Sequence, residues 1–196
     1  MLLLAPVGVV AAEKSIVVLG DSASAAYGLA QARGWVALLG ERLKRERLDY
    51  SVVNASISGE TSAGGLARVD KVIAQHKPAI VVLELGANDG LRGLPIAEMQ
   101  KNLAAIIERS QKAGARVVVV GMRIPPNYGP EYSEAFAATY DELAKRYKTA
   151  LVPFLMEGFA DKPELFQADR IHPTEAVQPV MEERVWKVLR PLIKRS

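Results

Sequence analysis

The side chains with chemistry in them lie at the ends of apolar runs. Gly20-Asp21-Ser22 closes the first such run, "SIVVLG", and places a hydroxyl at its tip. Near the other end of the chain, "ADRIHP" sets Asp169 and His172 three residues apart. Between them come the glycine-bearing turn "NASISGETS", with Gly59, and "LGANDG", with Asn88. A neutral serine hydroxyl is a weak nucleophile until a base takes its proton. Histidine is the natural base near neutral pH. A carboxylate on Nδ1 fixes the imidazole tautomer and stabilises the imidazolium that forms, which frees Nε2 to face the serine. Acyl transfer also needs donors for an oxyanion, and the backbone N–H of Ser22, the backbone N–H of Gly59 and the Asn88 amide are the candidates. Gly59 has no side chain to block a close approach.

Each motif alone is ordinary. Gly-Asp-Ser is a common strand-to-helix turn in which Asp or Ser caps a helix. Asn88-Asp89-Gly90 is a good turn sequence, and Asp-x-x-His recurs by chance. The weight lies in the order, with each motif at the carboxyl end of a strand. The second histidine, His76 in "AQHKPA", sits at a helix end and is read as having no catalytic role.

The elements that must position these residues are legible as periodicity. Five β-type runs are expected at Ser15–Gly20, Tyr50–Ala55, Ala79–Leu85, Arg116–Gly121 and Ala150–Phe154. Several are nearly continuous Val, Ile and Leu, as in strands covered on both faces. Helical spacing links Trp35, Leu38, Leu39 and Leu43, and a shorter, less regular pattern covers Gly65 to His76. It returns at Ile96, Met99, Leu103, Ile106 and Ile107, then at Phe136, Tyr140, Leu143 and Tyr147, and last from Val177 to Leu192. Strands alternating with helices predict an α/β chain, a three-layer α/β/α sandwich on a parallel sheet. Ligands in such sheets gather at the carboxyl ends of the strands.

With Ser22, Gly59, Asn88 and His172 in four successive blocks, and Asp169 completing Asp-x-x-His, the chain resembles the SGNH hydrolases, the GDSL-type esterases. "SVVNASISGETSAGGLAR", "ELGANDGLRG", "PPNYG" and "IHP" are similar to the bacterial branch of acyl-CoA thioesterases, lysophospholipases and arylesterases. The resemblance implies a flavodoxin-like five-stranded sheet in order 2-1-3-4-5. It also implies a serine ester and thioester hydrolase, often periplasmic, with no metal or organic cofactor. Its substrates would be small-molecule esters, acyl-CoA or lysophospholipids. A carbohydrate acetylesterase of the same family is the nearer alternative, and a non-catalytic flavodoxin-like binding module the farther one. Two positions depart from the pattern. Gly-Asp-Ser-Leu is Gly-Asp-Ser-Ala here, at Ala23, which is read as a local packing change. Asp-Gly-Ile-His is Asp-Arg-Ile-His; were that glycine needed for positive φ, Arg170 would be strained there, and it is read instead as lying on an exposed turn that tolerates a side chain, near the mouth of the site.

Substrate contacts are expected from Leu91, Pro126, Tyr128 and Ile171. "GANDGLRGLP" reads equally as a mobile cover for an acyl chain or as a rigid turn, and "RIPPNYGPEY" as the opposite wall.

The 196 residues suit one domain, 13–196, preceded by an apolar segment, 1–12. Leu2 to Ala12 is too short to span a bilayer but resembles a secretory h-region, with Val10-Ala11-Ala12 as a small-residue cleavage site. The expectation is a periplasmic or secreted protein without stable membrane insertion. Net charge is +3, with basic and acidic residues interleaved on helix faces, so no nucleic-acid partner is expected. There is no cysteine, hence no disulfide and no thiolate nucleophile. Two histidines and no His-Glu-x-x-His argue against a zinc hydrolase, and no phosphate-binding glycine loop is present.

Overall fold

The computed structural model describes residues 14–194; the segment 1–12 read as a signal-like extension lies outside them. Five strands form one parallel sheet: β1 (Lys14–Gly20), β2 (Tyr50–Asn54), β3 (Ile80–Glu84), β4 (Arg116–Val120) and β5 (Ala150–Val152). Their order is β2-β1-β3-β4-β5, every pairing parallel, as the resemblance implied. The centres of the inner strands are continuously apolar because both faces are covered. Ile16 to Leu19 and Ile80 to Leu83 are almost wholly buried. The edge strand β2 is only half-buried over Ser51–Val53.

The helices are α1 (Trp35–Arg45), α2 (Ser62–His76), α3 (Ala87–Leu91), α4 (Ile96–Lys112), α5 (Pro130–Tyr147) and α6 (Gln178–Leu189). α1 packs with α6, and α4 packs with both α2 and α5, which makes the two outer layers. The expected apolar stripes are the buried ones: Trp35, Leu39 and Leu43 on α1, and Met99, Leu103, Ile106 and Ile107 on α4.

β1, β3 and β4 differ from the expected runs by single residues at their ends, and three other boundaries differ for a local reason. β2 stops at Asn54, whose side chain donates to the Ser24 carbonyl and accepts the Ser56 N–H, turning the chain out of the sheet. β5 is cut short at Val152 because Pro153 has no N–H to continue the ladder. α2 begins at Ser62, three residues earlier than its apolar pattern, because Thr61 caps it by accepting the Gly64 N–H. In addition, the first residues after "LG" form the short helix α3.

The sheet order reverses between β1 and β3, which opens a crevice beyond their carboxyl ends. The register pairs Gly20 with Glu84, so the two strands finish level. Ser22 and Asn88 therefore leave neighbouring strands at the same edge.

Candidate active site

The Ser22 hydroxyl donates to His172 Nε2 at 2.8 Å, and His172 Nδ1 lies 2.6 Å from Asp169 Oδ2. An ionised carboxylate only accepts, so Nδ1 holds the ring proton and Nε2 is left to accept from the serine. The other Asp169 oxygen, Oδ1, accepts the backbone N–H groups of Ile171 and His172 at 2.9 and 3.0 Å. Burial pushes the Asp169 carboxyl up, but these two N–H donors and the imidazole outweigh it, and the pKa is lowered to about 2. The carboxylate is ionised at any pH where the site would work.

The loop carrying Asp169 and His172 is closed at its base. Phe166 and Pro173 form an antiparallel bridge, and Thr174 donates to the Leu165 carbonyl through both its N–H and its hydroxyl. Within the loop, Arg170 has φ +57°. The turn is exposed, as expected, yet its backbone is left-handed, so the reading of a turn that merely tolerates a side chain is incomplete. Three hydrogen bonds to one aspartate three residues before the histidine force so tight a loop that one residue must take positive φ.

The three candidate oxyanion donors come from three strand ends. Among the described residues, neither the Ser22 N–H nor the Gly59 N–H donates to another protein group. Gly59 has φ +78°, the left-handed region where a side chain is strained, and its carbonyl is taken by Arg92 Nη2 at 2.8 Å. The Asn88 amide gives one N–H to Asp21 Oδ2 at 3.0 Å and keeps the second. A buried clasp fixes the Gly59 turn relative to Asn88: Asp89 accepts the Ser62 N–H at 2.8 Å and the Ser62 hydroxyl at 2.6 Å. Asn102 donates to that same hydroxyl at 3.1 Å.

Next to the serine, Asp21 forms with Glu84 a pair of buried carboxyls whose contact the sequence reading did not foresee. Glu84 is fully buried, and its Oε2 accepts the Ser24 hydroxyl at 2.6 Å and the Asp21 N–H at 3.3 Å. Its Oε1 has no partner. Burial drives the Glu84 carboxyl well above the usual range, reinforced by the neighbouring Asp21 charge. Burial likewise pushes Asp21 up to about 6, against the opposing bonds from Ala23 and Asn88. The one signal in the sequence was an acidic residue closing an otherwise aliphatic strand, "IVVLE".

Three of the four residues expected at the substrate lie together, and the fourth is on the histidine loop. Ile171 is half exposed beside His172. Leu91 and Tyr128 bond to one another, the Tyr128 hydroxyl donating to the Leu91 carbonyl at 2.7 Å. Tyr132 does the same for Leu94, also at 2.7 Å. Pro126 opens the exposed 3-10 turn Pro126–Tyr128. Gly90 lies flat against Ile124 and Phe136, with no room for a side chain. The segment after Asn88 is thus pinned to α5 and the turn before it, an arrangement that favours the rigid-turn reading over a mobile cover.

The model of the GDSL-like lipase/acylhydrolase family matches residues 18–178. The chain belongs to that family. It is a hydrolase of carboxylic esters and thioesters. It is 54% identical to esterase TesA of Pseudomonas aeruginosa over 93% of this chain and 91% of that one. It is 42% identical to thioesterase 1/protease 1/lysophospholipase L1 of Escherichia coli K12, over 95% and 88%. Among solved structures, a psychrotrophic esterase EstA from Pseudoalteromonas, inhibited by monoethylphosphonate, superposes with a TM-score of 0.87 at 43% identity, over 91% of this chain and 97% of that one. Among the described residues, no helix is long and apolar enough to cross a membrane.

Proposed function

We propose that Ser22 is the nucleophile of a two-step acyl transfer, with His172 as its base and Asp169 as the group that orients and stabilises His172. The observation that supports this most is the unbroken relay from Ser22 Oγ through His172 to Asp169, at 2.8 and 2.6 Å. Ser22 attacks the carbonyl while Nε2 takes its proton. The oxyanion accepts from the N–H groups of Ser22 and Gly59 and from the free N–H of Asn88. The imidazolium then returns its proton to the departing alkoxide or thiolate, and the acyl group stays on Ser22. Water, deprotonated by His172, attacks the acyl carbonyl and releases the acid and the free serine.

The substrates proposed are lysophospholipids, acyl-CoA thioesters and aryl esters, with Leu91, Pro126, Tyr128 and Ile171 as candidate contacts. Relatives named for thioesterase and lysophospholipase activity support this range. The half-exposed Ile171 beside the reacting imidazole offers apolar surface to an acyl chain. Arg170, on the same exposed turn, would attract anionic leaving groups. Export to the periplasm is proposed from the apolar run Leu2–Ala12.

A fluorophosphonate probe tests the assignment. Labelling is expected on the peptide holding Ser22 and is expected to vanish in Ser22→Ala; labelling elsewhere, or turnover that survives the substitution, overturns it. A kinetic panel of p-nitrophenyl esters, acyl-CoAs, lysophospholipids and acetylated sugars ranks the substrates. Preference for the acetylated sugars would replace the lipid reading with a carbohydrate esterase.

A further inference from the structure

The nucleophile turn and the histidine loop are joined by one side chain. Gln167 Nε2 donates to the Tyr27 carbonyl at 2.8 Å and to the Pro173 carbonyl at 3.2 Å, while the Gln167 backbone N–H donates to the His172 carbonyl at 2.7 Å. A single amide nitrogen thus ties Tyr27, five residues after Ser22, to the residue that follows His172.

The turn after Ser22 is shaped for this contact. The Tyr27 N–H folds back to the Ser22 carbonyl at 3.2 Å, and both neighbours of Tyr27 are left-handed, Ala26 at φ +58° and Gly28 at φ +73°. A Cβ at Gly28 would run into the Gln167 side-chain carbonyl oxygen. Its left-handed dihedral favours glycine at 28, and the absent side chain leaves room for Gln167 to reach Tyr27. The result is that the Tyr27 ring, half exposed, lies against the His172 ring with centroids 4.3 Å apart and planes tilted by 35°.

We propose that Gln167 and Tyr27 act together as positioning residues, the amide holding the turn closed and the aromatic ring keeping the imidazole seated between Ser22 and Asp169. The aromatic face also favours the imidazolium that forms as Ser22 attacks. Both act through His172, Tyr27 by its ring and Gln167 by the backbone around it. This inference rests on the assignment of Ser22 and His172 made above.

The test compares Gln167→Met, which keeps the side-chain length and removes both donations, with Tyr27→Ala, Tyr27→Phe and the Gln167→Met/Tyr27→Ala pair. Thermal midpoints establish that each variant is folded. The readouts are kcat and KM on a short p-nitrophenyl ester and the rate constant of fluorophosphonate labelling at Ser22. Gln167→Met and Tyr27→Ala are each expected to lower kcat and the labelling rate by about three- to tenfold with KM held within about twofold. Tyr27→Phe, which keeps the ring, is expected to recover the wild-type rate. The double variant is expected to lose no more than the worse single one, because both act through one contact. Wild-type rates in both single variants, additive losses in the pair, or a Tyr27→Phe as slow as Tyr27→Ala would each overturn the proposal while leaving Ser22 as nucleophile. Failure of the wild-type protein to label at Ser22 would overturn both.

Discussion

Asp21 Oδ2 accepts the Asn88 side-chain amide at 3.0 Å, so the residue before the proposed nucleophile aims the third of the proposed oxyanion donors. The other Asp21 oxygen accepts the Ala23 N–H at 3.0 Å, and the side chain is almost entirely buried. One carboxylate therefore braces the turn around Ser22 and the amide across the crevice from it.

Asn88→Ala removes a proposed oxyanion donor and leaves Asp21 Oδ2 buried without its partner. It is expected to lower kcat by about 10²–10³ with little change in KM. Steady-state kinetics on a p-nitrophenyl ester check this, and a loss under tenfold would take Asn88 out of the oxyanion hole.

Glu84 and Asp21 set a pH dependence of stability. Both carboxyls are raised by burial in the folded state, Asp21 to about 6 and Glu84 well above its ordinary value. Once pH exceeds the unfolded values near 4, the folded protein retains protons that the unfolded chain has released. Their contribution to stability therefore falls as pH rises, through about 6 for Asp21 and further for Glu84. Glu84→Gln keeps an acceptor for Ser24 and Asp21 without an ionisable group. Its thermal midpoint is expected to decline less between pH 5 and pH 8 than that of the wild type. Parallel curves over this range would mean that Glu84 folds as a carboxylate.

Asp169 works with the opposite sign. Its folded pKa of about 2 lies below the unfolded value, so its stabilising contribution is full above about pH 4 and is lost as pH falls through about 2. Asp169→Asn is expected to lower kcat by about 10³–10⁴, through loss of the correct imidazole tautomer. The thermal midpoints of wild type and variant, separate at pH 6, are expected to converge as pH is taken from 4 to 2. Turnover within tenfold of wild type would show that the imidazole needs no carboxylate here.

The sheet is legible in the sequence because strands buried on both faces, such as β3 over Ile80–Leu83, carry unbroken apolar runs, and the loops between them are more polar. Ser22, Gly59, Asn88 and His172 stand out because each closes such a run or its loop, so position gives meaning to residue types that are common elsewhere. Long-range side-chain contacts are not legible in this way. Gln167 reaches Tyr27 across 140 residues, and Ser62 meets Asp89 across 27, with nothing in either local pattern to announce a partner. Arg170 illustrates a third limit. Its exposure follows from its type, but its left-handed backbone is imposed by the Asp169 bonds around it.

Arg170→Gly is expected to stabilise the fold by about 0.5–1 kcal/mol, because the left-handed conformation costs a side-chain-bearing residue more than it costs glycine. For a chain of this length, that is an upward shift of about 1–4 °C in thermal midpoint. The same substitution is expected to weaken turnover of acyl-CoA more than turnover of a neutral ester. Equal effects on both would remove the guanidinium from substrate attraction, and an unchanged or lower midpoint would mean that the arginine makes a compensating contact.

Ser22 and His172 are 150 residues apart along the chain. At a synthesis rate of about 5–20 residues per second, roughly 8–30 s pass between the emergence of the proposed nucleophile and that of its base. Throughout that interval the growing polypeptide holds an alcohol with nothing to deprotonate it. Hydrolytic competence on the proposed mechanism therefore arrives only once His172 has been made, and a product truncated ahead of that residue would be inert toward the lipids around it.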